Sequence, residues 1–387
     1  MKKRSPYKTI FLSFAAWRIT LFLLGFLAVL LLPTFGNRFP YANRVLEPTG
    51  LPAWVWSFGN FDGVHYLRIA QNGYQDEYSQ AFFPLYPLLT RFFANFLPKD
   101  PVLDTRTFTD PAFFWSGFLL ANFFFLILLF AFYKFLRLDF NQKVTLRTLL
   151  LLLVFPTSFY FGAVYTESLF LLLTVLTLYF LRQKKFLFAG VFIALSCAAR
   201  IFGVLLIPVY LIEVFKSRSL NKASILGLLV SPLGLISYMY FLSRNFGDAF
   251  YFLTSQPAFG AGRSAVPLVL LPQVFFRYAK IFLSVDILSL TFFNALLEFG
   301  FALLPLIFLI LVYRKMRFSY WFFSITALLL PTLTGTFSSM PRYALVAFLA
   351  LPFLAKLENR LYWLALGFFT VLNAILVVLF TRGFWVA

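Results

Sequence analysis

TLLLLLVFPTSFYFGAVYTESLFLLLTVLTLYFL, residues 148–181, runs between Arg147 and Arg182 with Glu167 as its one charged side chain. Crossing ~30 Å of hydrocarbon takes about 20 helical residues, so this run is too long for one crossing and short for two. Basic residues stand at both ends, and Lys and Arg mark the cytoplasmic side of membrane segments. The chain must therefore go out and return, in arms of about 17 residues with an apex near Phe155–Ser168. Residues 186–215, between Lys185 and Lys216, face the same constraint in a shorter span. Arms this short are expected to stop below the outer surface. Their apices, FPTSFYFGAVYTES (155–168) and SCAARIFG (196–203), would then border an outward-open cavity. Read as one long helix instead, residues 186–215 would invert everything after them.

The rest of the chain carries the same signature. Of 387 residues 61% are hydrophobic and 12% charged, with mean hydropathy +0.85, too apolar for one aqueous globule. Lipid offers backbone polar groups no partner, so a helical bundle follows. The net charge of +19 invites a nucleic-acid reading, but the basic residues fall in short clusters between apolar segments rather than on one face. Residues 1–8, 134–147, 182–185, 216–222, 314–317 and 356–360 hold 19 of the 33 Lys and Arg, with Asp139, Glu213 and Glu358 the acids in or beside them. Taken as cytoplasmic, these clusters predict eleven crossings, with residues 34–110 and 244–290 and the short turn 336–342 outside, and the C-terminus outside as well. The acids agree: seven of 14 lie in 34–110, and Asp248, Asp286 and Glu298 lie in or beside 244–290. The first apolar run, about Thr9 to Pro33, exceeds a signal-peptide core and reads as a retained helix. A single Cys197 and a single His65 support neither a disulfide framework nor a zinc or haem site.

Chemistry is most plausibly sought in GNFDGVHYLRIAQNGYQDEYSQAFFPLYPL (59–88), which gathers the His, several acids and Gly and Pro turns into an external segment. Asp62 and His65 would share one face of a short helix starting at Gly63, with Arg68 one turn on. Asp62 could simply cap that helix, and a cap can also be a base. For His65 alone, a packing or interfacial role outweighs catalysis. Arg200 and Glu167 lie in apolar surroundings, where an unpaired charge is costly. They either pair and brace the two hairpins or belong to a site. Asp76, Glu77, Asp100, Asp104 and Asp110 read as solvated loop charges, although Asp76 or Glu77 could orient an acceptor. Pro84 and Pro87 are expected to shape a membrane-surface helix. No acid cluster with metal-binding spacing, no P-loop and no dinucleotide fingerprint is present, so neither metal nor cofactor is expected.

FDGVHYLRIAQNGY (61–74), AFFPLYPLL (81–89), FPTSFYFGAVYTESLFLLLTVLTLYFL (155–181) and FAGVFIALSCAARIFGVLLIP (188–208) together resemble the PIG-V-like mannosyltransferases, which include the second mannosyltransferase of glycosylphosphatidylinositol synthesis and its bacterial relatives. Weaker echoes are GDAFYFLTSQPAFGAGR (247–263) and MPRYALVAFLALP (340–352). The resemblance implies an all-α polytopic bundle of the GT-C glycosyltransferase type, a single domain over 1–387 with short membrane-surface helices in its first external loop. It implies transfer of a sugar, with mannose expected, from a polyprenyl-phosphate donor to a lipid or glycan acceptor at the outer face, with inversion. Asp62 matches the family's catalytic acid and His65 its following His; Phe61 departs from the usual Trp.

The chemistry of such a transfer asks for the same groups. A sugar hydroxyl needs a carboxylate within about 3 Å to take its proton, and Asp62 can be that base. The departing polyprenyl phosphate gains a second negative charge and needs cations: His65, Arg68, Arg200, Arg263 and Arg342 are the candidates. Glu167, Asp76, Glu77, Gln256 and Tyr343 are the expected further substrate contacts. Partners are then the lipid-linked donor, the acceptor and membrane lipids, not nucleic acid, in what is expected to be a bacterial plasma membrane. Two rivals remain: a transporter or flippase of lipid-linked sugars, against which stands the lack of an evident repeat, and a non-catalytic assembly subunit, which would leave Asp62 and His65 without a purpose.

Overall fold

The computed structural model describes residues 5–36, 41–99, 108–264 and 268–386. Asp100 and Asp104, expected to be solvated loop charges, lie outside them. All regular structure among the described residues is helical. The principal helices are α1 Pro6–Leu31, α2 Asp62–Asn72, α3 Leu85–Ala94, α4 Pro111–Leu136, α5 Gln142–Leu153, α6 Glu167–Arg182, α7 Phe186–Ala199, α8 Leu206–Lys216, α9 Lys222–Val230, α10 Leu233–Phe246, α11 Leu271–Ser284, α12 Leu290–Val312, α13 Phe318–Leu329 and α14 Asn359–Thr381. Among the described residues, five helical stretches are long and apolar enough to cross a membrane: α1, α4, α9 with α10, Leu290–Lys315 and α14. Shorter apolar helices, Phe186–Ala199, Phe318–Thr334 and Met340–Ala355, lie among them.

Local chemistry sets the boundaries. Asp110 accepts from Ala112 N at 2.8 Å and Pro111 opens α4, so this acid is a buried N-cap rather than a solvated loop charge. Asn141 and Ser289 cap α5 and α12, and Asn221 with Ser224 forms a capping box on α9.

Both hairpins form. α5 and α6, of 12 and 16 residues, are joined by an apex with a 3₁₀ turn at Ser158–Gly162, and α7 and α8, of 14 and 11 residues, by Arg200 and a 3₁₀ turn at Ile201–Leu205. At 1.5 Å per residue these arms reach only ~16–24 Å, short of the hydrocarbon thickness. The alternative of one long helix fails at Arg200, where the backbone is extended (φ −158°, ψ 151°). The fold-back depends on Gly203, since a Cβ there would lie 2.4 Å from the backbone of Ser196 and Cys197. Gly203→Ala should therefore cost about 1–3 kcal/mol or more, read as a lowered melting temperature in detergent. A wild-type melting temperature would mean that the turn opens freely.

Contacts among the described residues bring most of the basic segments to one end of the bundle. Arg182 binds Asp139 at 2.6 and 2.9 Å and Tyr320 Oη at 3.1 Å, Arg317 donates to both oxygens of Glu213 at 2.8 and 2.6 Å, and Arg147 donates to Asn359 at 2.5 Å. Lys356 lines the same hollow as Arg182 and Arg317, and Tyr7 packs on Tyr133 near the end of α4. At the opposite end, Gly36 N donates to Arg382 O at 2.8 Å, Asn60 Nδ2 to Phe380 O at 2.9 Å and Tyr165 Oη to Asn60 O at 2.8 Å. The α2 region, the first hairpin apex and the C-terminal segment thus meet there.

Candidate active site

Three helix ends aim at one place. Asp62 occupies the first turn of α2, Glu167 the first turn of α6, and Arg200 follows the last residue of α7. Helix N-termini favour anions and C-termini favour cations, so each charge sits where the peptide dipoles support it. The fourth member, Arg342, comes from the short helix Met340–Tyr343. Arg342 Nη1 donates to Asp62 Oδ2 at 2.5 Å, its Nε lies 3.5 Å from Glu167 Oε1, and Arg200 Nη1 donates to that same oxygen at 2.5 Å. The chain of charge is Asp62–Arg342–Glu167–Arg200, drawn from four segments up to 280 residues apart.

Exposure separates their roles. The Asp62 and Arg200 side chains are 18% and 13% exposed, whereas Glu167 and Arg342 are 3% and 6%. Asp62 and Arg200 can meet a ligand. Glu167 sits behind both arginines and anchors them, so the bracing pair expected of Glu167 and Arg200 forms. Asp62 makes no capping bond to its helix; α2 begins at Asp62 itself, and the carboxylate is spent on Arg342 instead. Phe61, just before it, holds a left-handed backbone (φ 59°) fixed by ring contacts with Phe380 and Trp385. Strained backbone of this kind persists where the surroundings over-determine it.

Asp62, Arg200 and Arg342, but not Glu167, border a cavity of about 740 Å³, whose lining also includes His65, Gln256, Arg263, Ser338, Tyr343 and Glu298. Arg263 donates to Ser339 Oγ at 3.1 Å. The rings of Phe202 and Tyr343 lie 5.4 and 5.8 Å from the Arg200 guanidinium. His65 stacks on Phe82 with centroids 4.6 Å apart. Burial lowers its pKa below the usual histidine value against the pull of Asp62 and Asp76, which disfavours a cation at this position. Burial would raise Asp62, but the charge and hydrogen bond of Arg342, aided by Arg263, outweigh it and hold the carboxyl below the usual aspartate range.

Not every expected site residue reaches the cavity wall. Arg68 grips Asp76 through two bonds of 3.1 and 3.2 Å, and the pair lies beside the cavity, while Glu77 is exposed. The eight-residue separation across the Gly73 turn brings Arg68 onto Asp76, which occupies the fork expected to hold phosphate. Conversely Glu298, noted only as an acid beside a loop, faces the cavity from α12, and Trp385 closes one side. Among the described residues no group of three His, Cys, Asp or Glu is placed to hold a metal ion.

Comparison with known proteins bears on this arrangement. No curated protein matches. Two crystal structures of the Archaeoglobus fulgidus oligosaccharyltransferase match in fold, one in the apo form (13% identity, TM-score 0.46, covering 96% of this chain) and one tethered by a disulfide bond to an acceptor peptide containing the NVT sequon (12% identity, TM-score 0.45, 95%). The chain spans only 56% and 55% of the length of those structures. Residues 51–216 match the family model described as Mannosyltransferase (PIG-V), a span holding Asp62, His65, Glu167 and Arg200. With its membrane-spanning helices, this match supports a membrane glycosyltransferase, and over residues 51–216 the chain is recognised as similar to the mannosyltransferases of the PIG-V family.

Proposed function

We propose that the protein transfers a sugar, mannose by family likeness, from a polyprenyl-phosphate donor to an acceptor hydroxyl, on the face opposite the basic end of the bundle and without a metal or cofactor. The observation that supports this most is the meeting of Asp62, Arg342 and Arg200 in one cavity, with Arg263 across it. The acceptor hydroxyl approaches Asp62. As its oxygen bonds to the sugar's anomeric carbon, its proton passes to an Asp62 oxygen and the bond from that carbon to the phosphate oxygen breaks. The leaving polyprenyl phosphate takes the bonding electrons and its new charge falls to Arg200, Arg342 and Arg263. One displacement inverts the anomeric configuration. His65 orients hydroxyls, while Gln256 and Tyr343 complete the wall.

Incubation of purified protein with labelled polyprenyl-phosphate mannose and a lipid extract should release polyprenyl phosphate and label a product of opposite anomeric configuration. No release from any extract, or a retained configuration, would sink this reading. The sidedness has its own test. Cysteines at the exposed positions Gln75 and Ala258 should react with an impermeant thiol reagent in intact cells, and one at exposed Gln183 should not, with buried Cys197 giving little background. The reverse pattern would place the site inside.

A further inference from the structure

The charged end of the cavity accounts for a phosphate and a proton acceptor, and leaves one wall unexplained. Thr291, Asn294 and Glu298 all line the cavity from α12. Their spacing of three and four residues puts them on one face of the helix, turned from lipid into the void. Asn294 Oδ1 is buried and has no hydrogen-bond partner, and Glu298 Oε2 accepts from Tyr278 Oη, which itself lies 3.5 Å from Thr336 Oγ1. A carboxylate, an amide and a hydroxyl in a row on a membrane helix are costly unless something polar meets them. The Glu298 contact also fixes its geometry: Tyr278 holds one oxygen, and Ser338 and Ser339 lie against the same carboxyl group. Leu268 and Ile281 are apolar members of the same lining.

We propose that the Thr291–Asn294–Glu298 face of α12 is the subsite for the sugar of the lipid-linked donor, an inference that rests on the sugar-transfer reading above. Vicinal hydroxyls are donors spaced to reach both lone-pair directions of a carboxylate, and an amide carbonyl lacking a donor takes a third. A cation would find only one acid here, and a lipid tail would strand Asn294. The phosphate goes to the arginines and the sugar to α12, so that one donor spans both walls and its anomeric carbon is held between them, in reach of Asp62.

Binding of two probes to the purified protein separates the possibilities: polyprenyl phosphate alone, and polyprenyl-phosphate mannose. Wild type should prefer the mannose conjugate. Glu298→Gln and, independently, Asn294→Ala should weaken conjugate binding by about tenfold, since one acceptor oxygen for a sugar hydroxyl is lost in each case. Neither should weaken binding of polyprenyl phosphate alone. Asn294→Ala removes no side-chain bond to Asn294 Oδ1, so it keeps the test valid if Glu298→Gln disturbs folding through Tyr278. Equal conjugate binding by wild type and Asn294→Ala overturns the subsite while leaving the transfer reading intact. Lost product with unchanged conjugate binding assigns the face to the acceptor and overturns it too. Failure of wild type to bind either probe overturns both readings together.

Discussion

Asp62→Asn should lower turnover by on the order of 10²-fold or more while the protein still folds and still binds polyprenyl phosphate. Asparagine keeps the shape and cannot accept the proton. A capping role would predict otherwise, since Asn caps about as well as Asp, but Asp62 makes no capping bond, which leaves Arg342 as its structural partner. Removing that charge should cost some stability, limited because Glu167 still faces Arg342. The pH dependence follows from the depressed acidity of Asp62. The stabilisation from its ionised form is fully present above the unfolded value near 3.9 and disappears as pH falls through the lower folded value. The melting difference between wild type and Asp62→Asn should thus be flat from pH 5 to 8 and shrink only in strong acid, and no acid limb of kcat/KM in that window should come from Asp62. Normal turnover by Asp62→Asn would move the base elsewhere.

Arg342→Met should be the most destabilising single change in the site, by about 3–5 kcal/mol, because it leaves Asp62 and Glu167 without the guanidinium between them. The expected readout is loss of folded protein or a large fall in melting temperature. Adding Asp62→Asn to this variant should restore part of the loss, since one orphaned carboxylate is gone. Arg342→Lys should keep much of the stability yet lose turnover, because an ammonium cannot bridge two acids and a phosphate with fixed geometry. If Arg342→Met melts like wild type, the charge chain is not what holds this end of the protein together.

Much of this site could be seen in the sequence because charge in apolar surroundings is conspicuous. Glu167 and Arg200 stood out for that reason, and the basic flanks of residues 148–181 and 186–215 required the hairpins that carry them. Asp62 was marked by the density of polar residues around it. The join between Asp62 and Arg342 had no local signature, since nothing at either position names a partner 280 residues away. Arg68 and Asp76 read as separate groups in the sequence because the Gly73 turn, not helical spacing, brings them together. Asp110 was legible after all: an Asp before Pro at the head of an apolar run is a helix start. Glu298 was not, because an acid beside a loop is ordinary until the helix face it occupies is known.

Arg342 divides one positive charge between two carboxylates, and any phosphate that enters the cavity must draw on the same guanidinium. Anion occupancy and the proton affinity of Asp62 are then linked equilibria. As the anion claims Arg342, Asp62 loses part of what keeps it ionised and becomes the stronger base. By reciprocity a proton on Asp62 tightens anion binding by the same factor, and each pKa unit so gained corresponds to about 1.36 kcal/mol. On the proposed reading, an empty site holds the weaker proton acceptor, and the arriving anion readies it.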